Sequence, residues 1–204
     1  MLRTLALALA LPLAPLGTLG HLRAAPPPGP LGPEGIPIPK GATLAPAASP
    51  MLGKSVDGIK CEQREQVLFH IHAHLTIFVD GKARRIPYGI GIEPPLLGEV
   101  LPDGAFVTSG TCFSWLHTHA ADGIIHIESP VQRTYTLGEF FDIWKQPLSR
   151  TQVGPVHGRV VAIYDGKVFT GNPRSIPLKA HAQIQLEIGK PLVAPEHLNS
   201  FRGL

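Results

Sequence analysis

Apolar and polar residues alternate along residues 67–79. Every odd position is apolar: Val67, Phe69, Ile71, Ala73, Leu75, Ile77 and Val79. The even positions include His70, His72 and His74, followed by Thr76. A period of two predicts a β-strand with one core face and one polar face. Asp80-Gly81 follows this segment directly, and the dipeptide predicts a tight hairpin turn.

Residues 113–128 predict a second β-hairpin, because apolar runs flank Asp122-Gly123. His117 and His119 are two residues apart, so their side chains lie on the same face of the strand. A two-residue loop places His126 opposite His119, and a four-residue loop, 120–123, places it opposite His117. Either register gathers three imidazoles on one face, within the ~5 Å spacing of cross-strand pairs. A three-residue loop would turn His126 to the other face.

Three further segments complete the predicted architecture. Residues 159–169 form a third hairpin around Asp165-Gly166, and residues 180–188 alternate as a last strand. Thr136 and Glu139 match a capping box, which predicts one short helix that ends before Pro147. The chain is therefore expected to be mainly β: an antiparallel β-sandwich or open barrel, cupredoxin-like, with one short helix.

The N-terminal residues predict export. Residues 1–4 are short and basic, and residues 5–16 form an apolar run of about a dozen residues, as in a secretory signal. A membrane span needs about 20 apolar residues. We therefore expect a signal peptide over 1–22 and a periplasmic or secreted protein. If the signal stayed uncleaved, it would act as an N-terminal membrane tether.

Proline is dense over the next segment, 23–57, which predicts an extended and poorly packed linker. A His-rich β-domain is expected over 58–204. Its two cysteines, Cys61 and Cys112, are expected to form one disulfide worth roughly 4 kcal/mol in the chain-entropy model. The alternative is that a cysteine is a metal ligand.

The charge pattern argues against nucleic acid as a partner. The formal net charge is only +3 over 204 residues, and Lys and Arg are scattered rather than clustered. No Gly-rich phosphate loop and no Ser-His-Asp order occurs, so the sequence indicates neither an organic cofactor nor a catalytic residue. It also identifies no protein partner.

Eight of the ten histidines lie between His70 and His181, and two same-face runs of this kind predict a metal site. The candidate ligands are His70, His72, His74, His117, His119 and His126. Positions i and i+4 of a strand are ~13 Å apart, so His70 and His74 should not share one ion. His157 and His181 are weaker candidates, and Glu128 could be an acceptor that fixes a ring tautomer. The alternative is a hydrogen-bonded or solvated polar face.

All-imidazole ligation suits copper(II) and, next, zinc. Blue copper needs a cysteine and usually an axial methionine, but Met1 and Met51 both precede the domain. The sequence therefore favours oxidised copper. Whether the histidines hold one metal or two stays open.

The stretch from Trp115 through His117, His119, Asp122-Gly123 and on to Pro130 resembles the Trp-x-His-x-His…Asp-Gly…Pro stretch of multicopper oxidases. That resemblance implies copper ligation on a cupredoxin-like domain, although the family's C-terminal His-Cys-His stretch is absent. A longer likeness, over most of residues 67–190, is to an uncharacterised family of exported prokaryotic proteins. It implies no activity.

The function expected from the sequence is that of an exported metal-binding protein, most simply a copper protein in copper handling or redox chemistry. One alternative is a zinc hydrolase or hydratase with a three-histidine site, in which zinc lowers the pKa of bound water. Another is a non-catalytic structural or partner-binding β-domain.

Overall fold

A computed structural model describes residues 22–204, and it confirms the mainly β fold with one α-helix. The strands are β1 (Ser55–Val56), β2 (Ile59–Glu62), β3 (Phe69–Val79), β4 (Lys82–Arg84), β5 (Leu97–Leu101), β6 (Gly104–Ser109), β7 (Phe113–Ser114), β8 (Leu116–His117), β9 (Ile124–Ser129), β10 (Tyr135–Thr136), β11 (Leu148–Ser149), β12 (Gln152–Val153), β13 (Val156–His157), β14 (Val160–Tyr164), β15 (Lys167–Phe169), β16 (Pro177–Leu178) and β17 (Gln183–Ile188). The helix α1 covers Leu137–Ile143, and a 3-10 turn covers Pro173–Ser175.

The largest sheet has seven strands in the order β15-β14-β17-β3-β9-β8, with β4 also paired to β3. Its pairs are antiparallel except that β17 runs parallel to β3. Over the described residues the strand order ends at β15 on one side and β8 on the other, so the sheet does not close into a barrel. Smaller antiparallel sheets accompany it, and a β-sandwich-like arrangement fits the whole.

The odd-numbered face of β3 supplies the core, as the alternation predicts. Ala73, Leu75 and Ile77 are at most 1% exposed. They belong to one apolar cluster with residues of α1, of which Phe140 and Phe141 are fully buried. The predicted capping box is present: the Thr136 side chain accepts from the Glu139 N–H, and the Glu139 carboxylate accepts from the Thr136 N–H. The cap fixes where the helix begins and therefore how it packs on the sheet.

Two of the predicted hairpins close with two-residue turns. Val79 pairs with Lys82 around Asp80-Gly81, where both turn residues have positive φ. Tyr164 pairs with Lys167 around Asp165-Gly166 in the same way. Positive φ at both positions defines the type I′ turn, which Asp-Gly favours because glycine has no Cβ to clash.

Two segments cover the polar face of the sheet: the proline-rich segment and the C-terminal residues from Pro191. The proline-rich segment, residues 23–57, contains several turns, and Leu31 bridges Pro37 across one of them. The expectation of poor packing is wrong. Ile36 is fully buried with Ile124 and Phe201, and Leu44 joins the main core. Proline removes backbone donors but not side chains, so an extended segment can still bury the apolar residues between its prolines. The division of the chain at residue 57 stays a prediction.

The C-terminal residues from Pro191 are irregular, and polar side chains of β17 bind them to the sheet. Glu187 accepts from the Val193 N–H at 2.7 Å, Gln185 accepts from the Glu196 N–H at 2.8 Å, and Gln183 accepts from the Leu198 N–H at 2.7 Å. These side chains point away from the core, as the alternation predicts.

The predicted disulfide between Cys61 and Cys112 is confirmed, and it joins β2 to the chain just before β7. No helix within residues 22–204 is long and apolar enough to cross a membrane. The predicted signal peptide, residues 1–22, lies outside the described residues except for its last position.

Candidate metal centre

Three adjacent strands bring three histidines into one row on the polar face of the sheet. His72 on β3 is paired with His126 on β9, and His126 is paired with His117 on β8. His126 therefore lies opposite His117, the register that a four-residue loop predicts. One row further along, His70 is paired with Glu128. Alternation along each strand then places all five side chains on the same face.

A closed ring of four side-chain atoms forms the first donor group: Nε2 of His70, Nε2 of His72, Nδ1 of His126 and Oε1 of Glu128. Around the ring, neighbouring atoms lie 3.1, 3.1, 3.3 and 3.1 Å apart. A four-coordinate ion with metal–nitrogen bonds of about 2.0–2.1 Å separates adjacent donors by about 2.9–3.4 Å. The ring therefore has the dimensions of a metal site with three nitrogens and one oxygen.

The second donor group consists of His117, His119, His126 and Glu128, so it shares two residues with the first. The Nε2 atoms of His117 and His119 are 3.0 Å apart, and Glu128 Oε1 lies 3.9 Å from His117 Nε2. Glu65 adds a carboxylate, with Oε1 3.4 Å from His119 Nε2. Glu128 Oε2 has no hydrogen-bond partner among the described residues. The cluster could thus hold one ion, or two if both oxygens of Glu128 take part and Glu65 replaces His126 in the second group, because the inward Nδ1 of His126 can ligate only one ion.

The Nε2 atoms of His117 and His119 face each other, and the Nδ1 atom of each ring lies against a backbone carbonyl. The Nδ1 of His117 lies 2.9 Å from the Ser114 carbonyl, and the Nδ1 of His119 bonds the Val107 carbonyl. A carbonyl only accepts, so each Nδ1 carries a proton. If neither ring carries a second proton, two bare Nε2 atoms meet at 3.0 Å, and a cation between or beside them would relieve their repulsion. Burial, and then the neighbouring His119, hold the pKa of His117 well below its usual value, which disfavours a second proton on that ring.

Glu34, from the proline-rich segment, orients His126. Its Oε1 lies 2.8 Å from His126 Nε2, and its side chain is 4% exposed. This bond directs the other ring nitrogen, Nδ1, into the donor ring. A carboxylate that holds the outer nitrogen of a histidine is the usual support of a metal ligand, because it fixes the tautomer and raises ligand basicity.

In the metal-free cluster a proton takes the place of the ion on His126. Burial lowers the pKa of His126, but hydrogen bonds to Glu128 and Glu34 outweigh it and raise that pKa to about 9. Asp122 is buried next to Glu34, and burial together with the Glu34 charge raises the pKa of Asp122 to about 8. At neutral pH Asp122 therefore keeps its proton.

The cluster is buried but reachable from solvent. The side chains of His117, His119, His126 and Glu128 are at most 8% exposed, whereas those of His70 and Glu65 are 42% and 35% exposed. The Phe106 ring stacks on His119 with centroids 5.0 Å apart.

Burial, followed by the proximity of His126, lowers the pKa of His72 to about 3, so its ring is neutral and able to ligate.

Five of the six histidines named from the sequence meet in the cluster, and His74 does not. His74 Nε2 donates to the Asp122 carbonyl at 3.0 Å, one row away from His72. His157 is exposed and contacts Gln152, and His181 bonds the Leu204 carbonyl. Glu128 lies inside the donor ring rather than behind it.

Sequence reasoning did not find Glu34 and Glu65. Glu34 is the only carboxylate between residues 22 and 56, and this isolation within an apolar segment was the available signal. Glu65 precedes β3 by four residues, and no local pattern distinguishes it from a surface glutamate.

The described arrangement is a His/Glu cluster that could hold a metal ion, and its donors alone do not name the metal. Comparisons of this chain with protein-family models, with curated proteins and with solved structures find no match, so the resemblance to multicopper oxidases and to exported prokaryotic proteins stays a prediction.

Proposed function

We propose that the protein binds copper(II) at the His/Glu cluster and serves in copper handling or redox chemistry outside the cytoplasm. The closed ring of three imidazole nitrogens and one carboxylate oxygen carries this proposal. Imidazole nitrogen and carboxylate oxygen are donor types that copper(II) accepts. Copper(II) also binds such donors more tightly than the other divalent first-row metals.

The absence of soft ligands supports the oxidised state. Both cysteines of the chain are in the disulfide, and Met51 is 61% exposed. Copper(I) and blue-copper sites rely on cysteine or methionine sulfur, which the cluster does not offer. The disulfide and the predicted signal sequence support a periplasmic or secreted location.

The second donor group supports a different candidate, a zinc hydrolase or hydratase. It offers three imidazoles beside a half-exposed carboxylate, Glu65, which could act as a general base towards a metal-bound water. Which metal the protein carries separates the two candidates. A purely structural or partner-binding domain would carry none.

Metal analysis with electron paramagnetic resonance tests the copper proposal. The protein should be secreted by its own leader, stripped with a chelator, and offered copper(II) or zinc. We expect stoichiometric copper uptake with a type 2 signal that shows coupling to imidazole nitrogens. His72→Ala should lose that signal, and circular dichroism should verify that this variant is folded. His157→Ala is the matched control, because His157 is exposed and outside both groups.

Each possible result supports a different candidate function. Zinc bound as purified, with weaker copper binding, would favour the hydrolase. Two equivalents of copper would mean that both donor groups fill, and one equivalent that they compete. A folded protein that takes up neither metal contradicts both metal proposals and leaves the structural domain.

A further inference from the structure

A second site lies on the same face of the sheet, away from the donor groups. It is a cavity of about 690 Å³ between the proline-rich segment, the C-terminal residues and the strands β3, β4 and β17. Small-molecule sites in proteins typically have about 300–1,000 Å³ and mostly apolar walls. This cavity is therefore large enough for a small organic ligand.

The walls of the cavity are rigid and mostly apolar. The apolar lining includes Pro26, Pro37, Pro39, Phe78, Ile184 and Leu198. Proline loses little conformational entropy when a ligand arrives, because its ring already fixes φ. Apolar surface of this kind favours a ligand with a hydrocarbon body.

The charge around the cavity is strongly one-sided. Arg23, Lys40, Lys82 and Arg84 line it, against one carboxylate, Glu196. No ion pair within residues 22–204 joins any of the four cations to a carboxylate. Burial, followed by the charge of the nearby Glu187, raises the pKa of Glu196. An excess of three positive charges at one cavity equals the formal net charge of the whole chain.

We propose that this cavity binds a small amphiphilic anion: a hydrocarbon body with a single carboxylate head group. The apolar walls take up the body, and the free cations pair with the head group at the rim. A polyanion would leave the proline and phenylalanine walls without a partner. A neutral hydrocarbon would make no use of the cations.

Binding of octanoate and of 1-octanol to the chelator-treated protein, measured by isothermal titration calorimetry, tests the proposal. Removing metal ensures that the carboxylate does not bind at the histidine cluster, so the result is independent of the copper proposal. We expect one octanoate per chain, bound about tenfold more tightly than octanol, and weakened by added salt. The double variant K82A/R84A should bring octanoate down to the affinity of octanol. The control Arg159→Ala, an exposed cation outside the cavity, should change nothing.

A steric variant tests the location. Ala83→Trp should abolish binding of both probes by filling the cavity, whereas Val168→Trp, on an exposed position of β15, should not. Equal affinity for octanol and octanoate, or octanoate binding unaffected by K82A/R84A, would overturn the anion assignment. Failure of both probes to bind would overturn the site itself.

Discussion

The two faces of strand β3 are both buried, yet they are held in different ways. On the core face, Leu75 and Ile77 are 1% exposed and belong to the main apolar cluster. On the opposite face, His72 is 6% and Thr76 is 7% exposed, and both make hydrogen bonds: His72 with His126, and Thr76 with the Ile184 carbonyl. Apolar packing needs volume and shape alone, whereas a buried polar group needs a specific partner.

Some buried polar atoms on the polar face have no hydrogen-bond partner. Among residues 22–204, four buried side-chain polar atoms lack a hydrogen-bond partner, and three of them are carboxylate oxygens of Glu34, Asp122 and Glu128. Leaving such atoms unpaired costs about 1–3 kcal/mol each. A face maintained only for stability would be better filled with apolar residues. This difference supports the proposed metal binding at the polar face, whereas apolar packing on the core face stabilises the fold.

The largest expected effect is the loss of core packing. Leu75→Ala should lower the free energy of unfolding by about 2–5 kcal/mol, because a fully buried leucine leaves a cavity. The reduction should be the same with and without copper, since Leu75 points away from the cluster. Urea denaturation of the metal-free and copper-loaded protein measures both values. A Leu75→Ala variant that lost its copper but kept its stability would reverse the assignment of the two faces.

The next effect is the pH dependence of the metal-free protein. The pKa of His72 is lowered to about 3 and that of His74 to about 4, both by burial, and that of His117 is also lowered. The unfolded chain therefore binds these protons first, and stability should fall as pH decreases from 6.5 towards 4. Each net proton contributes about 1.4 kcal/mol per pH unit.

Other groups on this face titrate in the opposite direction, because burial raises the pKa of Glu187 and Glu196 as well as that of Asp122. The pKa of Asp122 is raised to about 8, so the folded protein holds one proton there that the unfolded chain has lost. This opposes the effect of the three histidines, which bind protons only in the unfolded chain. His126, with its pKa raised to about 9, stabilises fully below pH 6.5 and loses that contribution only as pH rises towards 9. Chelator-treated protein, denatured with urea between pH 7 and 5, measures the net slope. His72→Gln should flatten it, and a flat wild-type profile would contradict buried neutral imidazoles.

The sequence predicts the core face almost completely and the polar face only in part. Alternation places Leu75 and His72 on opposite sides, Asp-Gly turns define the hairpins, and Thr136 defines the start of the helix. Such signals are local. Glu34 reaches His126 from 92 positions away along the chain. No periodicity encodes that contact, because it depends on how an irregular proline-rich segment lies across the finished sheet.

The separation of His74 from the cluster has a similar cause. The alternation treats His70, His72 and His74 alike, and their spacing shows only that His70 and His74 should not share one ion. The register between β3 and β9 separates them: it places His126 opposite His72 and Ile124 opposite His74. Because β3 and β9 lie far apart in the chain, no local turn signal fixes this register.

The smallest expected effect concerns Glu34, and it tests whether the proline-rich segment belongs to the polar face. Glu34→Gln keeps the shape of the side chain but removes the charge that holds His126 Nε2. Supporting carboxylates of this kind typically contribute about 10–100-fold in metal affinity. We expect copper affinity, measured by competition with a chelator of known strength, to fall by about that factor, while stability of the metal-free protein changes much less than in Leu75→Ala. Lys40→Gln, in the same segment but at the neighbouring cavity, is the matched control and should leave copper affinity unchanged. If Glu34→Gln bound copper as tightly as the wild type, the segment would only cover the cluster, and the orientation of His126 would have to come from Glu128 alone.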